Sequence, residues 1–86
     1  MITALQLRIN SKEGFGIRTK ISELELMLQD AYDKQETEVR LGFGSSEGQR
    51  AVQVELKAVK EYFESLGYSV HLIPHTEGTV EIVLRA

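Results

Sequence analysis

The segment Ser69–Arg85 constrains the fold more than any other part of the chain. Val70 and Leu72 share one side of an extended run, with His71 and Ile73 on the other, and Val80, Ile82 and Leu84 later alternate with Glu81, Val83 and Arg85. Two runs of period two joined by the polar stretch His75–Gly78 predict an antiparallel hairpin with one buried face. Pro74 closes the first run and cannot donate to a ladder, which places that strand at a sheet edge.

A lone hairpin is marginal in water, so the rest of the chain must supply further strands and a cover for the apolar face. Thr37–Phe43 alternates in the same way, with Val39, Leu41 and Phe43 inward. Met1–Asn10 also alternates, with Leu5, Leu7 and Ile9 on one face and Gln6 and Arg8 on the other, and reads as the first strand. Ser11–Lys20, with two glycines and mixed charges, reads as a loop. Ser22 and Glu25 then make a capping box, with Ile21 and Leu26 as its hydrophobic staple. A helix is expected over Glu23–Gln35 with Leu24, Met27, Leu28, Ala31 and Tyr32 as its apolar stripe. Ser46 and Gln49 form a second box, followed by a helix carrying Val52, Leu56, Val59, Phe63 and Leu66. Gly67 suits the left-handed residue that ends it, and Tyr68 the accompanying contact.

The order is strand-helix-strand-helix-strand-strand in a single domain over residues 1–86. A chain of 86 residues supports one two-layer core. The expected fold class is therefore α/β (α+β), a two-layer βαβαββ sandwich. Its four-stranded mixed sheet has order 1-2-4-3, and both helices lie on one face. The open face would carry Gln6, Arg8, Arg40, His71, Glu81 and Arg85 among others, with no aromatic side chain.

In that topology the two loops and the hairpin gather at the carboxyl ends of the parallel strands. They collect Lys12, Arg18 and Lys20, then Ser45, Ser46 and Arg50, then His75, beside two helix N-termini that favour anions. Gly44-Ser45-Ser46-Glu47-Gly48 also matches the G-x-S-x-G turn of serine hydrolases. That fold needs a longer chain and a separate oxyanion loop, and helix capping accounts for Ser46. We expect no enzyme. With no cysteine, two histidines and no helical H-x-x-x-H, no metal or cofactor is expected either. A net charge of −3 counts against nonspecific nucleic-acid binding. No basic start precedes an apolar run, so neither a signal peptide nor a membrane partner is expected, and the location is expected to be cytoplasmic.

The segment Glu38–Val59, a strand entering a glycine-bearing turn and a helix opening with Ala51-Val52, resembles the Alba group of small nucleic-acid-binding proteins. That group includes the stage V sporulation protein S relatives. Gly78–Ala86 looks like the group's closing strand, and the element order also resembles the C-terminal domain of translation initiation factor three. The resemblance implies a homodimer that contacts RNA or DNA through Lys12, Arg18, Lys20 and Arg50, with Ser45 and Ser46 as donors. The alternative is a protein-interaction or inhibitor module that uses the open sheet face or an edge strand.

Overall fold

The first ten residues form a helix rather than a strand. In the computed structural model, which describes residues 1–44 and 49–86, helix α1 spans Ala4–Ile9. Thr3 and Gln6 close a capping box: the Gln6 N–H donates to Thr3 Oγ1 (3.1 Å) and the Thr3 N–H to Gln6 Oε1 (2.8 Å). Ala, Leu, Gln and Arg are all good helix formers. Leu5 and Ile9, spaced i and i+4, pack against the core, whereas Leu7 is 68% exposed. The same three apolar residues satisfy a period of two, and the cap decides between the readings.

The expected loop over Ser11–Lys20 is also mostly helical. A 3₁₀ turn over Lys12–Gly14 leads into α2, Phe15–Asp33. Ser22 and Glu25 thus lie inside a helix that starts earlier than their capping pattern indicates. The glycines that suggested a loop meet a close approach instead. A Cβ on Gly14 would lie 2.2 Å from the Ile9 carbonyl oxygen, and one on Gly16 would lie 1.8 Å from a carboxylate oxygen of Glu55. Ile17, Ile21, Leu24 and Ala31 form the buried stripe of α2, while Tyr32 faces solvent at 79% exposure.

Strands β1 (Glu38–Gly44), β2 (Ser69–Pro74) and β3 (Thr79–Arg85) and helix α3 (Gln49–Ser65) fall where the sequence places them. The sheet is three-stranded, ordered β1-β3-β2, and antiparallel throughout. This corrects the expected four-stranded mixed sheet: with the N-terminal strand replaced by α1, β1 becomes an outer strand. The hairpin and the edge position of Pro74 hold. Helix α2 packs on β1, α3 packs chiefly on β2 and β3, and α1 rests against both helices.

The core is wholly apolar among the described residues, with Leu24, Leu56, Phe63, Ile82 and Leu84 at or near zero exposure. Both long helices end in the same motif. At the end of α3, Gly67 (φ 99°) lets Tyr68 N–H reach the Phe63 carbonyl and Gly67 N–H the Glu64 carbonyl. The Phe63 and Tyr68 rings then meet edge to face at 5.9 Å. At the end of α2 the left-handed position is held by Gln35 (φ 60°), with Glu36 N–H on the Ala31 carbonyl. Among the described residues no helix is long and apolar enough to cross a membrane.

Candidate functional site

The carboxyl end of β1, the start of α3 and the β2–β3 hairpin do meet at one end of the sheet, since Gly44 pairs with Thr79 and Pro74 with Val80. The cations expected there have divided roles. The Arg18 guanidinium donates to the carbonyls of Ile9 (2.6 Å) and Ser11 (2.7 Å), closing the C-terminal end of α1. Lys20 is 15% exposed, sits 2.9 Å from Glu55 Oε1 and lies over the Phe43 ring at 5.6 Å. Arg18 and Lys20 therefore serve the fold. Lys12, Arg50 and His75 are exposed, whereas Ser45 and Ser46 lie outside the described residues. Phe15, the first residue of α2, is 70% exposed, while Phe43 belongs to the core.

The open sheet face is electrically closed on itself. Its cross-strand rows run Glu38–Arg85–Ser69, Arg40–Val83–His71 and Gly42–Glu81–Ile73. Glu38 pairs with Arg85 and with Arg40 (3.2 Å), and Arg40 also reaches Glu81 at 3.5 Å. The hydrogen bond from Arg85, then that from Arg40, holds the Glu38 carboxyl below the usual glutamate range. Val83, between Arg40 and His71, is only 2% exposed although no helix covers that face. The long neighbouring side chains shield it. Among the described residues, Arg40 and Arg85 are engaged by carboxylates on this face, while Lys60 of α3 reaches its β2 side beside His71 and Ile73.

The helical layer carries the larger apolar surface. Between α1 and the C-terminal end of α3 runs a groove of about 570 Å³ lined by Leu5, Ile9, Tyr62 and Leu66. Tyr62 and Leu66 also line a second depression, of about 330 Å³, that continues between α3 and α2 to Leu28, Tyr32 and Tyr68. The two adjoin at Tyr62 and Leu66 as a channel whose α1 side is mainly apolar and whose α2 side also carries Glu25 and Gln29. Its border is acidic. Glu25 lines the second depression, and Asp33 and Glu36 flank Tyr32 in the adjoining hollow. None of the three is in an ion pair among the described residues, and Asp33 accepts a hydrogen bond from Gln29 at 3.1 Å; Lys34, paired with Asp30 at 3.0 Å, is the cation beside them and feels the Glu36 charge.

No protein-family model, curated protein or solved structure matches the chain. The resemblance to the Alba group therefore rests on Glu38–Val59 and Gly78–Ala86 alone.

Sequence reasoning assigns Tyr32 and Leu66 to core stripes and Leu5 and Ile9 to a strand, so it does not find this channel. Two signals point to it. The Thr3-x-x-Gln6 box marks α1 as a helix. The apolar surface of α3 also widens to Tyr62 beside the stripe, and the stripe continues to Leu66 past the end of the helix, where it stays 58% exposed.

Proposed function

We propose that the protein is a non-enzymatic protein-binding module whose channel between α1, α2 and α3 receives an amphipathic, basic helix from a partner. The observation that carries this reading is the coincidence of apolar surface around Tyr62 and Leu66 with the acids Glu25, Asp33 and Glu36 at its border, where Lys34 is the neighbouring cation and is itself paired with Asp30. Exposed apolar side chains gathered in a groove give a partner helix a place to anchor, and tyrosine is prominent among residues that anchor partners. A helix laid in such a groove would bury its leucines on the floor and set its lysines against the acids.

Nucleic-acid binding through the loop end has less support, because Arg18 and Lys20 are engaged within the fold. That reading is left with Lys12, Arg50 and His75. Labelled RNA and DNA in a salt series check it: a slope of log affinity on log salt worth about three phosphates, at −0.7 to −0.9 each, would restore it.

The test of the channel uses two fluorescent amphipathic helices of identical leucine pattern, one with lysine and one with glutamate on the polar face. The lysine peptide should bind at least tenfold tighter than the glutamate peptide, and more weakly as salt rises. Leu66→Arg should abolish that binding while leaving the helix intact, because a cation suits the last turn of α3. Equal affinity for both peptides, or unchanged binding by Leu66→Arg, would overturn the reading.

A further inference from the structure

The backbone of β1 carries a second surface, independent of the channel. The Ala86 N–H donates to the Thr37 carbonyl at 3.0 Å, in register with the Glu38–Arg85 pairing. Hydrogen-bonded and non-bonded pairs alternate along an antiparallel ladder, so Thr37, Val39, Leu41 and Phe43 turn their N–H and C=O groups toward β3. Glu38, Arg40, Gly42 and Gly44 then turn theirs outward, and all four residues are exposed. The same reasoning applied to β2 starts from His75 N–H on the Thr79 carbonyl at 2.8 Å. It leaves Val70, Leu72 and Pro74 facing out. Pro74 has no N–H and blunts that edge, the usual protection against strand addition. Strand β1 has no proline, and its charged residues Glu38 and Arg40 pair with each other and with Arg85 and Glu81.

The glycines of β1 add a second observation. Neither Gly42 nor Gly44 has a positive φ. A Cβ would find ordinary contact distances at both, 3.6 Å and 3.7 Å from Thr79 side-chain atoms. Glycine weakens a strand interior, and nothing among the described residues requires it here. This contrasts with Gly14 and Gly16, which carry the same Gly-Phe-Gly sequence. Glycine in a strand often marks a bulge, a bend, or the close approach of a ligand or another backbone, and the unbroken β1–β3 register from Glu38 to Gly44 contains no bulge.

We propose that β1 pairs antiparallel with β1 of a second copy about a two-fold axis through Leu41, joining the two sheets into one. This register matches Arg40 with Gly42 of the second copy and Glu38 with its Gly44, so each long charged side chain lies over a glycine. Every outward N–H and C=O from Glu38 to Gly44 gains a partner. On the helical side, Leu41 meets Leu41 and Val39 meets Phe43. A two-fold axis through Arg40 would instead set arginine against arginine, and one through Gly42 would pair fewer of the outward residues.

Sedimentation of the full chain from low micromolar to millimolar concentration is the first test, with a reversible dimer expected. Gly42→Pro removes an outward N–H without touching the β1–β3 ladder, and should raise the dimer dissociation constant at least tenfold. Gly42→Lys guards against misfolding. In the monomer it faces Glu81 across the ladder, a favourable pair, but in the dimer it faces Arg40 of the second copy. It too should weaken the dimer. Leu41→Cys, in a chain with no native cysteine, should crosslink to itself under mild oxidation. Arg40→Cys should not, because its diagonal separation of about 7–8 Å exceeds disulfide reach. A monomer at every concentration, a dimer indifferent to both Gly42 substitutions, or crosslinking by Arg40→Cys alone would overturn the proposal.

Discussion

Arg18 links the sequence, the fold and the channel, and replacing it with methionine isolates its part. Methionine keeps an apolar stem of similar reach but loses the bonds to the Ile9 and Ser11 carbonyls. A hydrogen bond from a charged donor contributes about 1.5–3 kcal/mol when buried. Arg18 is only part-buried, so the pair together is worth about 2 kcal/mol, below the sum of two buried bonds. The loss falls first on α1, which has six residues, none of them fully buried, and is far too short to persist alone. A change of about 2 kcal/mol multiplies the open population of α1 roughly 30-fold. Amide exchange reads this directly. The Leu7 and Asn10 amides, bonded at 3.0 Å to the Thr3 and Gln6 carbonyls, should exchange about that much faster, with the β3 amides unchanged. If α1 instead unfolds only with the whole domain, the melting temperature should drop by about 8–16 °C, from the 4–8 °C per kcal/mol expected at this size. Unchanged exchange at Leu7 and Asn10 together with an unchanged melting temperature would refute the capping role and return Arg18 to the pool of available cations.

Two further outcomes follow from the local structure. Gln35 holds a left-handed conformation at the end of α2 that costs a side-chain-bearing residue about 1 kcal/mol, so Gln35→Gly should raise the melting temperature by several degrees in calorimetry; a decrease would contradict that strain. The Glu38 carboxyl is held below its ordinary value near 4.5 by Arg85 and Arg40, so its contribution is complete above that pH and fades as pH falls through the lowered value. Acid melts should therefore show a shallower loss of stability below pH 4.5 in Glu38→Gln than in the unaltered chain.

The parts of the fold that are legible in the sequence are those whose period admits one reading. Val80, Ile82 and Leu84 repeat the spacing of Leu5, Leu7 and Ile9, but Thr79, Val80, Ile82 and Val83 are β-branched and favour a strand, and Pro74 assigns its strand to an edge without reference to distant residues. Val52, Leu56, Val59 and Phe63 recur at helical spacing, and Gly67 ends that helix by a local rule. Leu5, Leu7 and Ile9 fit two periods at once. The choice between them depends partly on the Thr3–Gln6 box, which is local, and partly on Arg18, which reaches back to close α1 from nine residues away. The glycines at 14 and 16 read as a loop because their neighbours are set by the folded chain: the Ile9 and Arg8 carbonyls leave no room for a Cβ at 14, and the Glu55 side chain lies against 16.

Both candidate surfaces follow from this one ambiguous element. Had Met1–Asn10 joined the sheet beside β1, the outward groups of Glu38, Arg40, Gly42 and Gly44 would be paired within the chain, and Gly42 and Gly44 would lie in a central strand. The groove wall formed by Leu5 and Ile9 would also be missing, leaving Tyr62 and Leu66 on an open helix face. A helix at the N-terminus thus frees one edge of the sheet and builds one side of the channel. That is why amide exchange in α1, rather than in the core, is the most informative readout for either surface.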